Sequence, residues 1–240
     1  MTELQRLAGI VLSPGKTFED INQRPTWILP FALLLIFHLG GDFILFRVLI
    51  TDANFDQLAR TKVQWDAGMS GSQLAQAGEE EQIDTLHRER EHWYVLTLIA
   101  VPLSLLSLSL LFYIVLRLAG ADTSFFKAAV VVCWASVIYR CLGGICTMTA
   151  LLVRGPANFF PGPSEAWSPT SLAQLISRSS LPPAVYSALS KLDIFLVWWL
   201  AVLTIAFSKI SENLSRVKSA ALVAASELLY LLVHASGLPR

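Results

Sequence analysis

The chain has 240 residues, of which 54% are hydrophobic and 15% charged, and its mean hydropathy is +0.56. Soluble domains carry about 25% charged residues, so this chain has too few charges to cover a water-facing surface. The formal net charge is zero, which gives no reason to expect nucleic acid as a partner. Together with its long apolar runs, this composition excludes a soluble globular protein and indicates an all-α, polytopic integral membrane protein.

Near the N-terminus, GIVLSPGKT (residues 9–17) resembles a nucleotide-binding loop. That loop needs four residues between its glycines, and here one residue too many separates Gly9 from Gly15. Pro14 stands where the second glycine would belong, and proline has no N–H to offer a phosphate. We therefore expect no nucleotide at this segment.

Residues 1–26 are instead predicted to form a cytoplasmic, interfacial segment of two short helices. The Ser-Pro pair that ends at Pro14 is typical of a helix start, with a cap followed by proline at the first helical position. On the second helix, Phe18 and Ile21 are expected to face the bilayer. Lys16 is expected to contact anionic lipid headgroups, an interaction worth about 1 kcal/mol.

Five stretches are long and apolar enough for membrane-spanning helices, which need about 20 residues. A single membrane domain is thus expected over residues 1–240. Lys and Arg are equally numerous near the span ends on both sides, but the segments on the N-terminal side are shorter. This bias favours a cytoplasmic N-terminus and an exported C-terminus. The predicted spans are about residues 27–46, 93–116, 125–153, 193–207 and 217–236.

Two segments, residues 51–92 and 154–191, are then exported loops. The first is charged and helix-compatible, so the second span is expected to continue outward as a helix. In the second, Ser-Pro at 168–169 predicts the start of a short helix lying on the membrane surface. Its apolar face would comprise Leu172, Leu175 and Ile176.

Ionisable residues inside the predicted spans point to a function, because a charge in a bilayer is costly. At ~1.5 Å per residue, Asp42 and Arg140 reach similar depths, so Arg140 is expected to pair with Asp42 or Glu227. Three interpretations stay open: an ion pair that locks helix packing, a polar pathway for a proton, ion or lipid headgroup, and an aqueous crevice without transport. The polar cluster consists of His38, Asp42, Arg140, Glu227 and His234.

The predicted third and fifth spans carry small residues at which another helix could approach closely. In the fifth span these are the pairs Ala220 with Ala224 and Ala221 with Ala225. We expect other membrane proteins, or a second copy of this chain, as partners. No H-E-x-x-H or G-x-S-x-G motif is present, so a non-enzymatic protein without cofactor or catalytic metal is expected.

Several segments together resemble the Yip family, five-span membrane proteins recognised as partners of Rab-type GTPases. The run S-P-G-K-T-F-E-D-I (13–21), followed by P-x-W-x-x-P (25–30), resembles the family's opening segment. FFKAAVVVCWASVIY (125–139) resembles the beginning of its third span, and L-D-x-F-x-x-W (192–198) is the most specific match. The residues that carry the resemblance are Pro14, Phe18, Pro25, Trp27, Pro30, Leu192, Asp193, Phe195 and Trp198.

The resemblance implies a non-enzymatic scaffold or membrane-organising protein that acts through protein and lipid contacts. Only about 26 residues precede the first predicted span, which resembles the bacterial branch, located in the inner membrane, for which no Rab partner is expected. The alternative is a transporter or lipid-handling protein that uses the intramembrane polar cluster. Asp193 is expected to begin a helix, where a carboxylate favours the positive end of the dipole.

Overall fold

The structure, a computed structural model, describes residues 1–50, 55–56, 59–60, 63, 79–154, 168–176 and 181–235. Of residues 79, 154, 183–184 and 230–235 it describes the backbone alone. Within these ranges every regular element is a helix. The α-helices are α1 (Glu3–Leu12), α2 (Pro14–Gln23), α3 (Ile28–Phe43), α4 (Glu79–Glu91), α5 (Trp93–Leu118), α6 (Phe125–Ser136), α7 (Gly143–Arg154), α8 (Pro183–Ser190), α9 (Ile194–Ile210) and α10 (Arg216–Ala235).

Three helical segments are long and apolar enough to cross a membrane, namely Ile28–Leu49, Trp93–Leu118 and Phe125–Val153. They coincide with the first three predicted spans. α9 is apolar but has only 17 residues, and α10 has 20 residues but is not among these three segments. The fourth and fifth spans therefore stay predictions. The segment before α9 does not extend it, because α8 ends at Ser190 and three non-helical residues follow.

Two of these segments contain a π-helical turn that the sequence analysis did not predict. π1 (Ile44–Leu49) continues α3, and π2 (Val137–Leu142) joins α6 to α7. A π turn places one extra residue in the helix and is frequently found at functional sites. Each therefore changes which side chains share a helix face beyond it.

The chain divides into two compact units. Unit 1 comprises Met1–His38, Leu98–Gly143 and Phe195–Leu229, and unit 2 comprises Leu39–Thr97, Gly144–Ile194 and Tyr230–Arg240. In unit 1, α6 is buried on all sides from Val130 to Ser136, as expected of a helix that is apolar all round. α5 and α9 of the same unit meet through aromatic rings, since Phe112 lies 5.1 Å from Phe207 and 6.3 Å from Trp199, measured between ring centroids.

The α1–α2 hairpin of unit 1 begins as its local sequence predicts. Thr2 caps α1 in a reciprocal capping box with Gln5, and Pro14 starts α2 at its first position. The predicted direction of the second helix was wrong. Phe18 and Ile21 are fully buried on the helix that packs against α6, because a protein surface and not lipid covers this face. Burial of each such side chain contributes about 1.5–3 kcal/mol.

In unit 2, an arginine closes the carboxyl end of π1. Arg90 Nη2 donates to Ile50 O at 2.9 Å, and its guanidinium lies 4.7 Å from the centroid of the Phe55 ring. A buried cluster lies beside it, formed by Ile50, Phe55, Ala59, Val63 and Ile83. α4 leads into α5 with only His92 between them, so the predicted helical continuation of the second span is present. That it extends outward stays a prediction.

The predicted surface helix at 168–169 was wrong in its start and type. Ser171, not Ser168, caps a single 3₁₀ turn, Leu172–Leu175. Ser171 Oγ accepts from Ala173 N at 3.2 Å and donates to Ser190 O at 2.9 Å. The turn therefore begins three residues later than the Ser-Pro pattern predicts, at the serine that is also bonded to the end of α8.

Gly9→Ala is expected to loosen the α1–α2 hairpin, because a Cβ at position 9 would collide with Thr17 Oγ1. Thr17 has little freedom to move, since its hydroxyl is bonded to Ser13 O at 3.1 Å. Such overpacking costs about 1–3 kcal/mol. Trypsin can cleave after the buried Arg6 only when the hairpin opens locally, so the variant should be cleaved there faster than the wild type.

The matched control is Gly15→Ala in the same hairpin. Its Cβ would meet only Ile205, at 3.9 Å, which is an ordinary contact. Equal cleavage rates for the two variants would contradict the close approach of α1 to α2.

Candidate functional site

Arg6 lies at the centre of a buried polar network in unit 1. Its side chain is 2% exposed, and its Nε donates to Asp20 Oδ2 at 2.7 Å. Its Nη1 donates to Glu3 Oε1 at 3.0 Å and to Thr26 Oγ1 at 2.6 Å. Thr26 Oγ1 in turn donates to Glu3 at 2.7 Å. This Arg6 network, made of Glu3, Arg6, Asp20 and Thr26, joins α1, α2 and the segment that leads into α3.

A second set of contacts seats α2 on the ends of α6 and α9. Lys127 Nζ donates to Asn22 Oδ1 at 2.7 Å, and Asn22 Nδ2 donates to Lys209 O at 3.1 Å. Trp134 Nε1 donates to Thr26 O at 2.8 Å. One asparagine thus satisfies a carbonyl at the end of α9, where intrahelical donors run out, and holds the start of α6.

The connections between the helices of unit 1 meet beside this hairpin. The backbone N–H of Asp122, between α5 and α6, donates to Ser211 Oγ, between α9 and α10, at 3.2 Å. α2, the α5–α6 connection and the α9–α10 connection therefore lie at the same end of unit 1. Helices that cross a membrane in alternating directions require this arrangement.

Three cations surround Glu19 on the exposed side of α2. Lys209 Nζ forms an ion pair with Glu19 Oε1. The hydrogen bond from Lys209, together with the charges of Lys209, Arg216 and Lys16, lowers the pKa of Glu19 below its ordinary 4.5. Lys16 is exposed one turn before Glu19. Its contact with a lipid headgroup stays a prediction.

The two helices of the hairpin expose different kinds of side chain. On α1, Leu4 is 74% and Leu12 81% exposed, and Ala8 between them is exposed as well. On α2, the exposed side chains at helical spacing are polar, namely Lys16, Glu19 and Gln23. The hairpin therefore presents an apolar stripe on α1 and a charged stripe on α2.

Of the predicted intramembrane polar cluster, three members belong to unit 1. Arg140, within π2, donates from Nη1 to Ser104 Oγ of α5 at 3.1 Å. His38 Nδ1 lies 2.7 Å from Leu34 O, one turn earlier in its own helix. Glu227 is half-buried on α10. The pairing of Arg140 with Asp42 or Glu227 stays a prediction.

The other two members belong to unit 2. Asp42 Oδ2 accepts a hydrogen bond from Thr97 Oγ1 at 2.5 Å, which ties α3 to the start of α5. His234 lies on α10, in the part of that helix for which only the backbone is described. His38, Asp42 and Arg140 are each hydrogen-bonded to their own helix or to a neighbouring one.

The N-terminal residues that resemble the Yip family occupy structural positions in the hairpin and the helix that follows. Pro14 begins α2 and Phe18 fills its buried face. Pro30 is buried in the first turn of α3, and Pro25 is half-buried in the link before it. Trp27 stacks edge-on against Phe31, with ring centroids 5.5 Å apart, and remains partly exposed.

The residues of L-D-x-F-x-x-W surround the start of α9. In unit 2, Leu192 O accepts from Leu172 N at 2.9 Å, and Asp193, directly before α9, accepts from Ser168 Oγ at 3.3 Å. In unit 1, Phe195 lies against Gly143, where an added Cβ would come within 3.3 Å of its ring. Trp198 is exposed, as expected of a lipid-facing side chain.

Sequence reasoning missed three residues that organise unit 1. Arg6 and Asn22 were not singled out, although a charged residue on the face of α1 opposite its leucines, followed by an acid on α2, is a usable signal. Trp199 was overlooked beside Trp198, yet it is the buried tryptophan of the pair and packs against Tyr139, with ring centroids 6.1 Å apart.

These features define a class: a polytopic α-helical membrane protein with a short helical hairpin held against one end of the helices of unit 1. Comparison with protein families then identifies the family. The chain matches the Yip1 domain over residues 8–238 and belongs to that family. Searches of curated proteins and of solved structures return no match.

The Arg6 network is expected to weaken in acid. The hydrogen bond from the Met1 ammonium, followed by the Arg6 guanidinium, lowers the pKa of Asp20 below its ordinary 3.8. A carboxyl with a lowered pKa stabilises the folded state fully above its ordinary pKa, and this contribution is lost as the pH falls through the lower, folded value. Hydrogen exchange of the α1 amides, corrected for the intrinsic pH dependence, should therefore accelerate below about pH 4.

Asp20→Asn provides the control for this prediction, because it removes the titrating group. The variant should show faster α1 exchange at neutral pH and little further acceleration in acid. Identical pH profiles for the two proteins would show that Asp20 does not stabilise the hairpin.

Proposed function

We propose that the protein is a non-enzymatic membrane scaffold of Yip type, with five spans, a cytoplasmic N-terminus and an exported C-terminus, in a bacterial inner membrane. The observation that carries this proposal is the outer face of α10, where Ala220, Ala221, Ala224 and Ala225 are all exposed. Small residues on one helix face let a partner helix approach closely in a bilayer.

The small residues of the third span were also predicted to form a partner surface. Two of them, Ala128 and Ala135, are fully buried in unit 1, so the proposal does not use them. The outward-facing small residues of α10 therefore form the partner surface of the proposal. A second membrane protein, or a second copy of this chain, would supply the opposing helix.

Lipid contacts are the other part of the proposed role. The exposed stripe of α1 contains Leu4, Ala8 and Leu12 and no charged side chain, while the guanidinium of that helix is turned inward. An amphipathic helix of this kind lies in the membrane interface with its apolar side among the acyl chains. On this proposal α1 rests in the bilayer surface and α2 separates it from the spans.

In-membrane photocrosslinking tests the scaffold proposal. A photoreactive amino acid at Ala221 or Ala225 should capture a defined protein neighbour, identified by mass spectrometry. The control position is Leu106 on α5, which is also exposed and apolar but lies outside the small-residue face. Substitution of Ala224 by Leu should abolish capture from Ala221, because the larger side chain holds the partner away.

If Ala221 and Leu106 capture only lipid to the same extent, the scaffold proposal is wrong. Purification of the protein as a lone monomer under mild conditions, with no captured neighbour, would lead to the same conclusion.

A transporter or lipid-handling protein is the second candidate, and one observation favours it. Arg140 lies in the π turn of the third span and bonds Ser104, two residues after Pro102 of α5. Proline and π turns both interrupt the regular helical ladder. An arginine between two such interruptions has the polar surroundings that an ion or headgroup pathway requires.

Ser104→Ala distinguishes the two roles of Arg140. If the contact is structural, loss of the hydroxyl should lower the free energy of unfolding in detergent by about 1–3 kcal/mol and leave proton or ion flux across proteoliposomes unchanged. Ser109→Ala is the control, since that buried hydroxyl bonds Leu105 O of its own helix. A change in flux for Ser104→Ala or Arg140→Gln, with unchanged stability, would favour the transporter.

A further inference from the structure

Three separate helices of unit 1 bring cations to one carboxylate. Lys16 lies in the first turn of α2, Lys209 in the last turn of α9, and Arg216 at the first position of α10. Lys209 pairs with Glu19, whose side chain is 51% exposed, and the charges of Lys16 and Arg216 also act on this carboxylate. Even with the exposed Glu212 of the α9–α10 connection counted, the cations outnumber the acids.

The positions of two of these cations at the ends of apolar helices indicate which part of a membrane they would contact. Lys209 lies in the last turn of α9 and Arg216 at the first position of α10, so both flank segments that the proposed function places in the membrane. Long basic side chains at such positions extend to the headgroup layer. α1 packs against α2, which carries Lys16, and exposes Leu4 and Leu12 as an apolar surface of the same hairpin.

We propose that Lys16, Lys209 and Arg216 form a binding site for the phosphate of an anionic phospholipid headgroup. The proposal deepens the lipid-contact part of the proposed function and rests on it. Arginine offers a fork of N–H donors that matches phosphate oxygens, and the two lysines add point charges from α2 and α9. The headgroup would thus contact α2, α9 and α10 at one place.

Glu19 has a defined part in this site. Its carboxylate forms an ion pair with Lys209 when no lipid is bound, and it is negatively charged like a phosphate. The headgroup therefore competes with Glu19 for Lys209. Removal of the Glu19 charge should strengthen lipid binding, whereas removal of any of the three cations should weaken it.

The test uses the full-length protein in detergent with equimolar phosphatidylglycerol and phosphatidylcholine, and counts retained lipids by native mass spectrometry. Wild type should retain phosphatidylglycerol preferentially. Lys16→Gln and Arg216→Gln should each reduce that preference about fivefold, which corresponds to ~1 kcal/mol per cation near an anionic surface. Glu19→Gln should increase it.

The matched control is Arg117→Gln, which removes an exposed cation at the end of α5, in the same unit but outside the cluster around Glu19. An equal loss for this variant would reduce the effect to general surface charge and overturn the site. A weaker preference for Glu19→Gln would also overturn it, because Lys209–Glu19 would then be only a structural pair.

Soluble glycerol phosphate added in excess separates the two sources of phosphate. If the amount of retained phosphatidylglycerol does not change, the lipid site is supported. If glycerol phosphate displaces the lipid, the site binds a soluble phosphate and the proposal is overturned. Photocrosslinking at Ala221 tests the scaffold role independently. A negative result in the lipid-retention experiment therefore does not contradict that role.

Discussion

A guanidinium taken out of water is stable only if its donors meet paired acceptors, and Arg6 meets this requirement with Asp20, Glu3 and Thr26. The requirement determines the rest of the N-terminal region. Because Arg6 points toward α2, the leucines on the other side of α1 point outward. Because Asp20 points toward α1, the opposite face of α2, with Phe18, is available to α6. One buried charge thus sets the orientation of both helices.

The sequence was sufficient for features that depend on local composition. Apolar stretches of the required length located the three helices that are long and apolar enough to cross a membrane, and Ser-Pro before α2 located its start. It was not sufficient for the direction of Phe18 and Ile21. Apolar periodicity shows that a face avoids water, but lipid and protein interior satisfy that condition equally well. The partner of the face, α6, lies about a hundred residues further along the chain, and no local pattern reports it.

Polar residues within the spans were found from the sequence, but the hydroxyls that they contact were not. Arg140 is expected to need an acidic partner, and one bond that the structure gives it is to the hydroxyl of Ser104. Serine carries no charge and occurs widely in spanning helices, so its role could not be read from residue type. The π turn at Val137–Leu142 has no sequence signature either, although it decides which neighbours Arg140 faces.

The contacts of Asn22 also constrain the order of biogenesis. Its two partners, Lys127 and Lys209, lie 105 and 187 residues later in the chain. During synthesis α2 therefore has no complete docking site until α9 has been made, and its apolar face must wait for α6. An α1 that rests in the bilayer surface would hold the hairpin at the membrane throughout this delay. The hairpin can therefore dock completely only after α9, the fourth apolar helix, has been inserted.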